Sequence, residues 1–264
     1  MSLNSITIIG GGNLGKAIAE GLIASKFVKP NQITVTRRNL ASLDYLKKQG
    51  VKTSTDNKAA VKSASIVLLC VKPFQAKEIL KEISKNIDSK QIIVSVVSGV
   101  SINDIEHAIG KKTAIFRAMP NTAISIKQSM TCLSYKEANA TQIKTIESLF
   151  NGLGKTITID EKLMDASTIL GACGTAFAMR YIRANIQAGI EIGFDAVTAS
   201  LIAAQTVKGA AQLLIENNSH PEAEIDKVTT PKGVTITGLN QMEHNGLSSS
   251  VIKGITEAYK KMNS

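Results

Sequence analysis

The chain has 264 residues, of which 44% are hydrophobic and 20% are charged, and its formal net charge is +10 at pH 7. This length can bury one sizeable core or two modest ones, and the composition is unlike that of a disordered protein. With no tryptophan, 4% aromatic residues and scattered lysines, nucleic-acid binding is not expected.

Short β-branched runs alternate with helical patterns in the first part of the chain. The runs predict strands at residues 6–9, 33–36, 66–71, 92–97, 114–117, 130–134 and 156–160. Apolar residues at helical spacing predict helices at residues 15–25, 40–49, 75–86, 102–110 and 137–150. Because alternating strands and helices imply βαβ units, we predict an α/β domain with a mostly parallel sheet over residues 1–160.

After residue 160 the pattern is helical throughout. Long helices are predicted at residues 162–193 and 195–218, with Asp195 as a candidate N-cap, and two more helical segments follow a polar stretch. We therefore predict an all-α domain over residues 161–264. Its small residues, such as Ala172 and Gly174, favour close helix approach, either within the chain or in the core of an interwoven dimer.

The first predicted strand leads into a glycine-rich turn. Gly10, Gly12 and Gly15 fit the pattern G-x-G-x-x-G, with Asn13 and Leu14 between the last two glycines. A strand precedes the pattern and a helix follows it, which is the arrangement of a Rossmann-type dinucleotide site. The free N–H groups and the positive end of the helix dipole would then face the pyrophosphate.

The end of the second strand indicates which dinucleotide binds. NAD sites usually carry an acidic residue there for the ribose 2′-hydroxyl, but this chain has Arg37 and Arg38. A guanidinium fork suits a 2′-phosphate, so NADPH is the predicted cofactor. The alternative is that both arginines are ordinary surface residues.

Two further strand ends are predicted to reach the same crevice, where ligands of open α/β sheets bind. Val71, Lys72 and Pro73 end the third strand, and Lys72 is either a cofactor or substrate contact or an ordinary loop lysine. Residues 95–99 end the fourth strand and would form a wall of the nicotinamide pocket.

Neither a metal site nor a disulfide framework is expected. Cys70, Cys132 and Cys173 form no CxxC pair, and the three histidines have no metal-ligand spacing. No basic region precedes the first strand, so no secretory signal is expected. The apolar stretch at residues 163–179 is interrupted by polar residues and indicates a buried helix, with no membrane span. A reducing cytoplasm is the expected compartment.

With these features the chain resembles the pyrroline-5-carboxylate reductases over nearly its whole length. The motifs that carry the resemblance, besides the glycine loop, are Asp56-Asn57, Val71-Lys72-Pro73, Ser98-Gly99-Val100, Arg117-Ala118-Met119-Pro120-Asn121-Thr122, residues 205–211 and residues 220–239. The most specific is the run from His220-Pro221 through Asp226 to Thr230-Pro231-Lys232-Gly233-Val234-Thr235.

The resemblance implies a Rossmann domain followed by a helical domain that forms a homodimer and often a higher homo-oligomer. It implies NADPH-dependent reduction of Δ1-pyrroline-5-carboxylate to L-proline, the last step of proline biosynthesis. The cofactor contacts that it implies are Gly10, Gly12, Asn13, Leu14, Gly15, Arg37, Arg38, Asn57, Val71, Lys72, Pro73, Val97, Ser98 and Gly99.

On the substrate side, the resemblance implies that the imino-acid carboxylate binds the loop from Thr230 to Thr235. The N–H groups of Gly233, Val234 and Thr235 would form an anion nest, and Glu161 would be a further substrate contact. Lys72 and Thr235 are the candidate catalytic residues. The Thr235 hydroxyl would orient the imine nitrogen or relay a proton, or it would cap the following helix, or both.

Some positions depart from the family pattern. Lys232 stands where glycine is usual, and Ala123 stands where proline is usual. Thr175 and Phe177 lie in a segment that usually carries serine, proline and tyrosine. The lysine at position 232 would strain the loop if that position needs a positive φ, or its ammonium would add a cation beside an anionic substrate. Two alternatives therefore remain, a reductase of a related cyclic imino acid and a non-catalytic NADPH-binding regulator. β-Hydroxyacid dehydrogenases place a catalytic lysine on the first long helix of the second domain. That class is disfavoured, because no lysine lies between Met164 and Val207 here.

Overall fold

The structure is a computed structural model that describes residues 5–262. The chain forms two compact units, of which the first ends at Thr175 and the second begins at Ala176. The sequence pattern changes near residue 160, and we keep that position as the proposed start of the helical domain. Residues 161–175 nevertheless pack as part of the first unit.

Within residues 5–262, eight strands form one sheet. They are β1 (Ile6–Ile9), β2 (Ile33–Thr36), β3 (Lys52–Ser54), β4 (Ile66–Leu69), β5 (Ile92–Ser95), β6 (Ala114–Met119), β7 (Ser129–Lys136) and β8 (Gly154–Thr158). Their order is β3-β2-β1-β4-β5-β6-β7-β8, and each neighbouring pair is parallel except β6 with β7. This confirms the predicted mostly parallel sheet.

The strand order reverses direction beside β1. The chain runs from β1 outward through β2 and β3, then returns to the other side of β1 with β4. The last residues of the central strands are in register, with Ile9 opposite both Thr36 and Leu69, and Leu69 opposite Ser95. Their carboxyl ends therefore lie along one edge, and the switch point between β1 and β4 opens a crevice there.

Helices cover both faces of the sheet. They are α1 (Asn13–Ala24), α2 (Asp44–Lys48), α3 (Asn57–Lys62), α4 (Pro73–Ile83), α5 (Ile102–Ile109) and α6 (Ala140–Asn151). One core layer contains Ile6 and Ile8 of β1, and the opposite layer contains Ile9 together with Val67 and Leu69 of β4. Successive side chains of a strand point to opposite faces, so strands that are buried on both faces are apolar throughout.

Residues 161–191 are helical, as predicted, but they form several different helix types. After a 3-10 turn (Glu161–Leu163) come α7 (Met164–Ser167), a π-helical segment (Thr168–Cys173) and α8 (Gly174–Glu191). Asn121, just after β6, donates through Nδ2 to the Gly171 carbonyl oxygen at 3.3 Å. Short π-helical segments are frequently found at functional sites.

The second unit is helical throughout, as predicted. Besides most of α8 it contains α9 (Ala196–Asn217), α10 (Pro221–Lys227), α11 (Val234–His244) and α12 (Leu247–Met262). Asp195 is confirmed as the N-cap of α9, since its Oδ1 accepts from the N–H groups of Val197 and Thr198, each at 3.0 Å. In the described range, none of the helices has both the length and the apolar character needed to cross a membrane.

Candidate active site

The glycine loop lies between the ends of β1 and β2. The N–H groups of Gly10 and Gly11 both donate to the Thr36 carbonyl oxygen, at 3.1 and 2.9 Å. Gly10 has a φ of +106°, and a Cβ on it would overlap the carbonyl group of Cys70. A Cβ on Gly15 would overlap the carbonyl oxygen of Gly10. The turn therefore needs glycine at both positions.

The beginning of α1 is free to accept a ligand. Gly12 is its N-cap and provides no capping side chain, so the N–H groups of the first turn have no intrahelical acceptor. A Cβ on Gly12 would meet no described atom within 4 Å. These are the properties of an anion site at a helix N-terminus.

Arg37 and Arg38 follow β2 at the same edge but differ in environment. The Arg37 N–H donates to the Ser54 carbonyl oxygen at 3.0 Å, and its Nη1 donates to the Gly11 carbonyl oxygen at 2.7 Å. Arg37 thus ties β3 and the glycine loop to the end of β2. Arg38 is exposed, and its side chain makes no hydrogen bond or ion pair with any residue between 5 and 262. It is therefore available to an external anion.

Asn57, the first residue of α3, lies beside these groups. Its Oδ1 accepts from the Thr36 hydroxyl at 2.6 Å, and its Nδ2 donates to Glu82 of α4 at 3.3 Å. The Asn57 side chain is thus engaged within the protein. Its predicted role in cofactor binding stays a prediction, for which the backbone N–H at the start of α3 is the available donor.

The loops after β4 and β5 complete the edge. Lys72 is the exposed N-cap residue of α4, and Pro73 is the first residue of that helix. Val97 is 2% exposed, and its N–H donates to the Ser95 hydroxyl at 3.3 Å, whereas Gly99 is exposed with a φ of +69°. The predicted cofactor residues of the first unit therefore lie at the carboxyl edge of β1, β2, β4 and β5 or, in the case of Asn57, at the start of the neighbouring α3.

The predicted substrate loop belongs to the second unit, where it precedes α11. The Gly233 N–H donates to the Thr230 carbonyl oxygen at 2.9 Å, so this N–H is used within the turn. The N–H groups of Val234 and Thr235 are in the first turn of α11 and have no intrahelical acceptor. Lys232 is exposed and has a φ of +61°, the left-handed conformation that lysine seldom adopts.

The structure separates the two predicted roles of Thr235. Gly233 is the N-cap of α11 and provides no side-chain cap. Thr235 is exposed in the first turn, and its hydroxyl makes no hydrogen bond with a described residue. The capping role considered for Thr235 is therefore wrong. Its hydroxyl is free for a ligand, and its catalytic role stays a prediction.

Other reactive groups offer little competing chemistry. Cys70 lies next to the glycine loop, where burial raises the pKa of its thiol and keeps it protonated. Burial also raises the pKa of Cys132. Within residues 5–262, no three histidine, cysteine, aspartate or glutamate side chains lie close enough together to hold a metal ion.

Comparisons with known proteins agree with this geometry. A family model described as pyrroline-5-carboxylate reductase dimerisation matches residues 161–264, and one described as NADP oxidoreductase coenzyme F420-dependent matches residues 5–99. The chain is 49% identical to pyrroline-5-carboxylate reductase 1 of Dictyostelium discoideum over 98% of this chain, and 45% identical to reductase 2 of that organism over 97%. The chain belongs to the pyrroline-5-carboxylate reductase family.

The match to these family members differs in extent. The chain spans about half of the length of the first relative, 49%, and 91% of the second. A solved pyrroline-5-carboxylate reductase structure from Coxiella burnetii superposes with a TM-score of 0.90 at 33% identity, covering 99% of this chain and 98% of that one. The resemblance inferred from the sequence motifs is thereby confirmed, as is the fold class.

One cluster near the site was missed by the sequence reasoning. Arg117 of β6 is 5% exposed, and its Nη1 lies 3.2 Å from Oε1 of Glu161 while its Nη2 lies 3.5 Å from Oδ1 of Asp165. The same Glu161 oxygen accepts from the Ile102 N–H at 2.6 Å. The sequence signal that could have revealed the cluster is Arg117 itself, a charged residue in an otherwise apolar strand at the start of the motif Arg-Ala-Met-Pro-Asn-Thr. The predicted substrate contact of Glu161 stays a prediction.

Proposed function

We propose that this protein uses NADPH to reduce Δ1-pyrroline-5-carboxylate to L-proline. The observation that carries the proposal is the dinucleotide cradle of the first unit, in which the glycine loop lies beside the end of β2 and the two arginines that follow it. Membership of the reductase family supports this choice of substrate, because both Dictyostelium relatives are named pyrroline-5-carboxylate reductase.

The first unit fits a phosphorylated dinucleotide. Gly12 leaves open space above the start of α1, where the helix N–H groups and dipole favour the pyrophosphate. The exposed guanidinium of Arg38 would bind the 2′-phosphate. Arg37, which is anchored to the Gly11 carbonyl oxygen, would add a second positive charge at a fixed position.

The second unit would hold the substrate carboxylate at the start of α11. The N–H groups of Val234 and Thr235 are the available donors, and the Lys232 ammonium adds a positive charge on the adjoining turn. The free Thr235 hydroxyl would donate to or accept from the ring nitrogen. Lys72 would contribute charge at the cofactor crevice.

The chemistry divides between cofactor and protein. When bound, NADPH would supply the hydride for C5 of the imine, and one proton on the ring nitrogen would complete proline. The chain contributes alignment of the two reactants, which can supply several kcal/mol of the barrier. A hydroxyl such as that of Thr235 can hold the nitrogen in its protonated, more electrophilic form.

We also propose that the protein works as a homodimer formed by the helical unit. In the isolated chain Ile192, just after α8, is 77% exposed, and Val197 and Leu201 of α9 are 80% and 71% exposed. Apolar exposure on this scale is typical of a surface that another chain covers. The family model for pyrroline-5-carboxylate reductase dimerisation, which matches residues 161–264, supports the same assignment.

The catalytic role proposed for Thr235 is tested by three variants at that position. Thr235→Ala and Thr235→Val should lower kcat for imine reduction about 100-fold or more, because proton transfer by a positioned side chain contributes about 10²-fold to 10⁴-fold. Thr235→Ser keeps the hydroxyl and should retain most of the rate. An unchanged kcat in the alanine variant would remove Thr235 from the reaction.

A further inference from the structure

Arg117 lies at the meeting point of the sheet, helix α5 and the segment that begins at Glu161. It shares a face of β6 with Ile115, which packs in the core layer under α5 together with Ile102 and Ile105. In the β5–β6 register it is opposite Ser95, the last residue of β5. Arg117 is therefore buried level with the last residue of β5, shortly before the loop of residues 97–101 begins.

Burying this guanidinium is costly unless charges and hydrogen bonds compensate it. Compensation comes from Glu161 at 3.2 Å and Asp165 at 3.5 Å. It is incomplete, because Nε and Nη2 of Arg117 and Oδ1 of Asp165 form no hydrogen bond with any described residue. The well-formed contact of the cluster is therefore that of Glu161.

Glu161 also contacts the start of α5, where the loop of residues 97–101 ends. Its Oε1 accepts simultaneously from Arg117 and from the Ile102 N–H, the latter at 2.6 Å. Ile102 is the first residue of α5, next to the N-cap Ser101. At the other end of the loop, the Val97 N–H is held by the Ser95 hydroxyl at 3.3 Å. Glu161 thus fixes one end of the segment that carries Ser98 and Gly99.

We infer that Arg117 and Glu161 are positioning residues for hydride transfer. Arg117 orients Glu161, Glu161 holds the amide of Ile102, and the loop of residues 97–101 is thereby kept in the form that aligns the nicotinamide. The inference rests on the proposed function, because it takes this loop as the nicotinamide wall. Asp165 adds a negative charge beside the same guanidinium, and its Oδ1 forms no hydrogen bond with a described residue.

Two variants of Glu161 separate this role from a substrate contact. Glu161→Gln keeps an oxygen that can accept from Ile102 and Arg117, whereas Glu161→Ala removes it. We expect Glu161→Ala to lower kcat about 10-fold to 100-fold, since small misplacements of reactants cost on that order. The KM for the imine should change less than about 2-fold, and Glu161→Gln should recover most of kcat.

Asp165→Asn is the matched control, because it removes a carboxylate beside the same arginine without touching the loop. It should leave kcat unchanged. A rise in KM for the imine in Glu161→Ala at unchanged kcat would mean that Glu161 contacts substrate, and would overturn the inference. Loss of stability alone, with both kinetic constants unchanged, would also overturn it.

A second readout does not depend on turnover. Hydrogen exchange of the peptide that contains Ile102 should accelerate in Glu161→Ala and stay near the wild-type rate in Glu161→Gln and Asp165→Asn. Should Glu161→Ala fail to fold, Arg117→Lys takes its place, because a lysine ammonium cannot reproduce the planar fork. Faster exchange without imine reduction by the wild type would reject the proposed function alone. Unchanged exchange would reject the positioning role.

Discussion

Lys232 offers a direct measure of backbone strain in the proposed substrate loop. Its φ of +61° costs an L-residue roughly 1–2 kcal/mol relative to glycine, which has no Cβ to clash. Glycine gives back about 0.5–1 kcal/mol through the greater freedom of its unfolded chain. Lys232→Gly should therefore stabilise the protein by about 0.5–1 kcal/mol.

Urea unfolding at a fixed protein concentration would measure this change, since a dimer's stability depends on concentration. Lys232→Ala removes the ammonium but keeps the Cβ, so it should give no such gain. Lys127→Gly, at a φ of +58° in the first unit, should be stabilised like Lys232→Gly. Equal midpoints for the alanine and glycine variants at position 232 would refute the strain argument. An increased KM for the imine in both would show that the ammonium assists substrate binding.

Four further outcomes are expected. Gly15→Ala would drive a Cβ into the carbonyl oxygen of the loop's first glycine, so NADPH binding should be lost in a fluorescence titration, and retained affinity would contradict this. Arg38→Ala should weaken NADPH about 10-fold and NADH by less than about 2-fold, because only NADPH carries the 2′-phosphate, and equal losses would argue against that contact. Leu201→Glu should yield a monomer in light scattering, and a persistent dimer would place Leu201 outside the interface. Asp195→Ala should lower the urea midpoint at neutral pH, whereas Asp195→Asn keeps a capping oxygen. Hydrogen bonds, chiefly from Thr198, hold the pKa of Asp195 below its ordinary value, so its stabilisation is present at neutral pH and is lost as pH falls through that lowered pKa. If the difference in urea midpoint between wild type and Asp195→Ala does not shrink in acid, the carboxylate charge of Asp195 is not the source of the stabilisation.

The parts of the fold that the sequence predicted are those with strong apolar patterns. The bounds of β1 and β2 agree with the predicted ones, because both are β-branched runs ending at glycine or charged residues. The strand β3 was missed because Lys52–Ser54 is short and polar and lies at the sheet edge. Helix α10 was missed because it lies in a polar stretch, and its start depends on Pro221 and the His220 side chain.

The site was only partly predictable for a similar reason. The glycine loop depends on local backbone geometry, which residue type and spacing reveal directly. The Arg117 cluster joins residues that are 44 positions apart, so its geometry depends on tertiary packing. The engagement of Asn57 by Thr36 and Glu82 is likewise a consequence of how one strand and two helices meet.

The central claim is tested most directly by following NADPH absorbance with purified protein and Δ1-pyrroline-5-carboxylate, with NADH and a six-membered imino acid in parallel. We predict rapid oxidation of NADPH with an equivalent amount of proline formed, and slower reaction with NADH. Tight NADPH binding without oxidation, or reduction of the six-membered substrate alone, would contradict the proposed function.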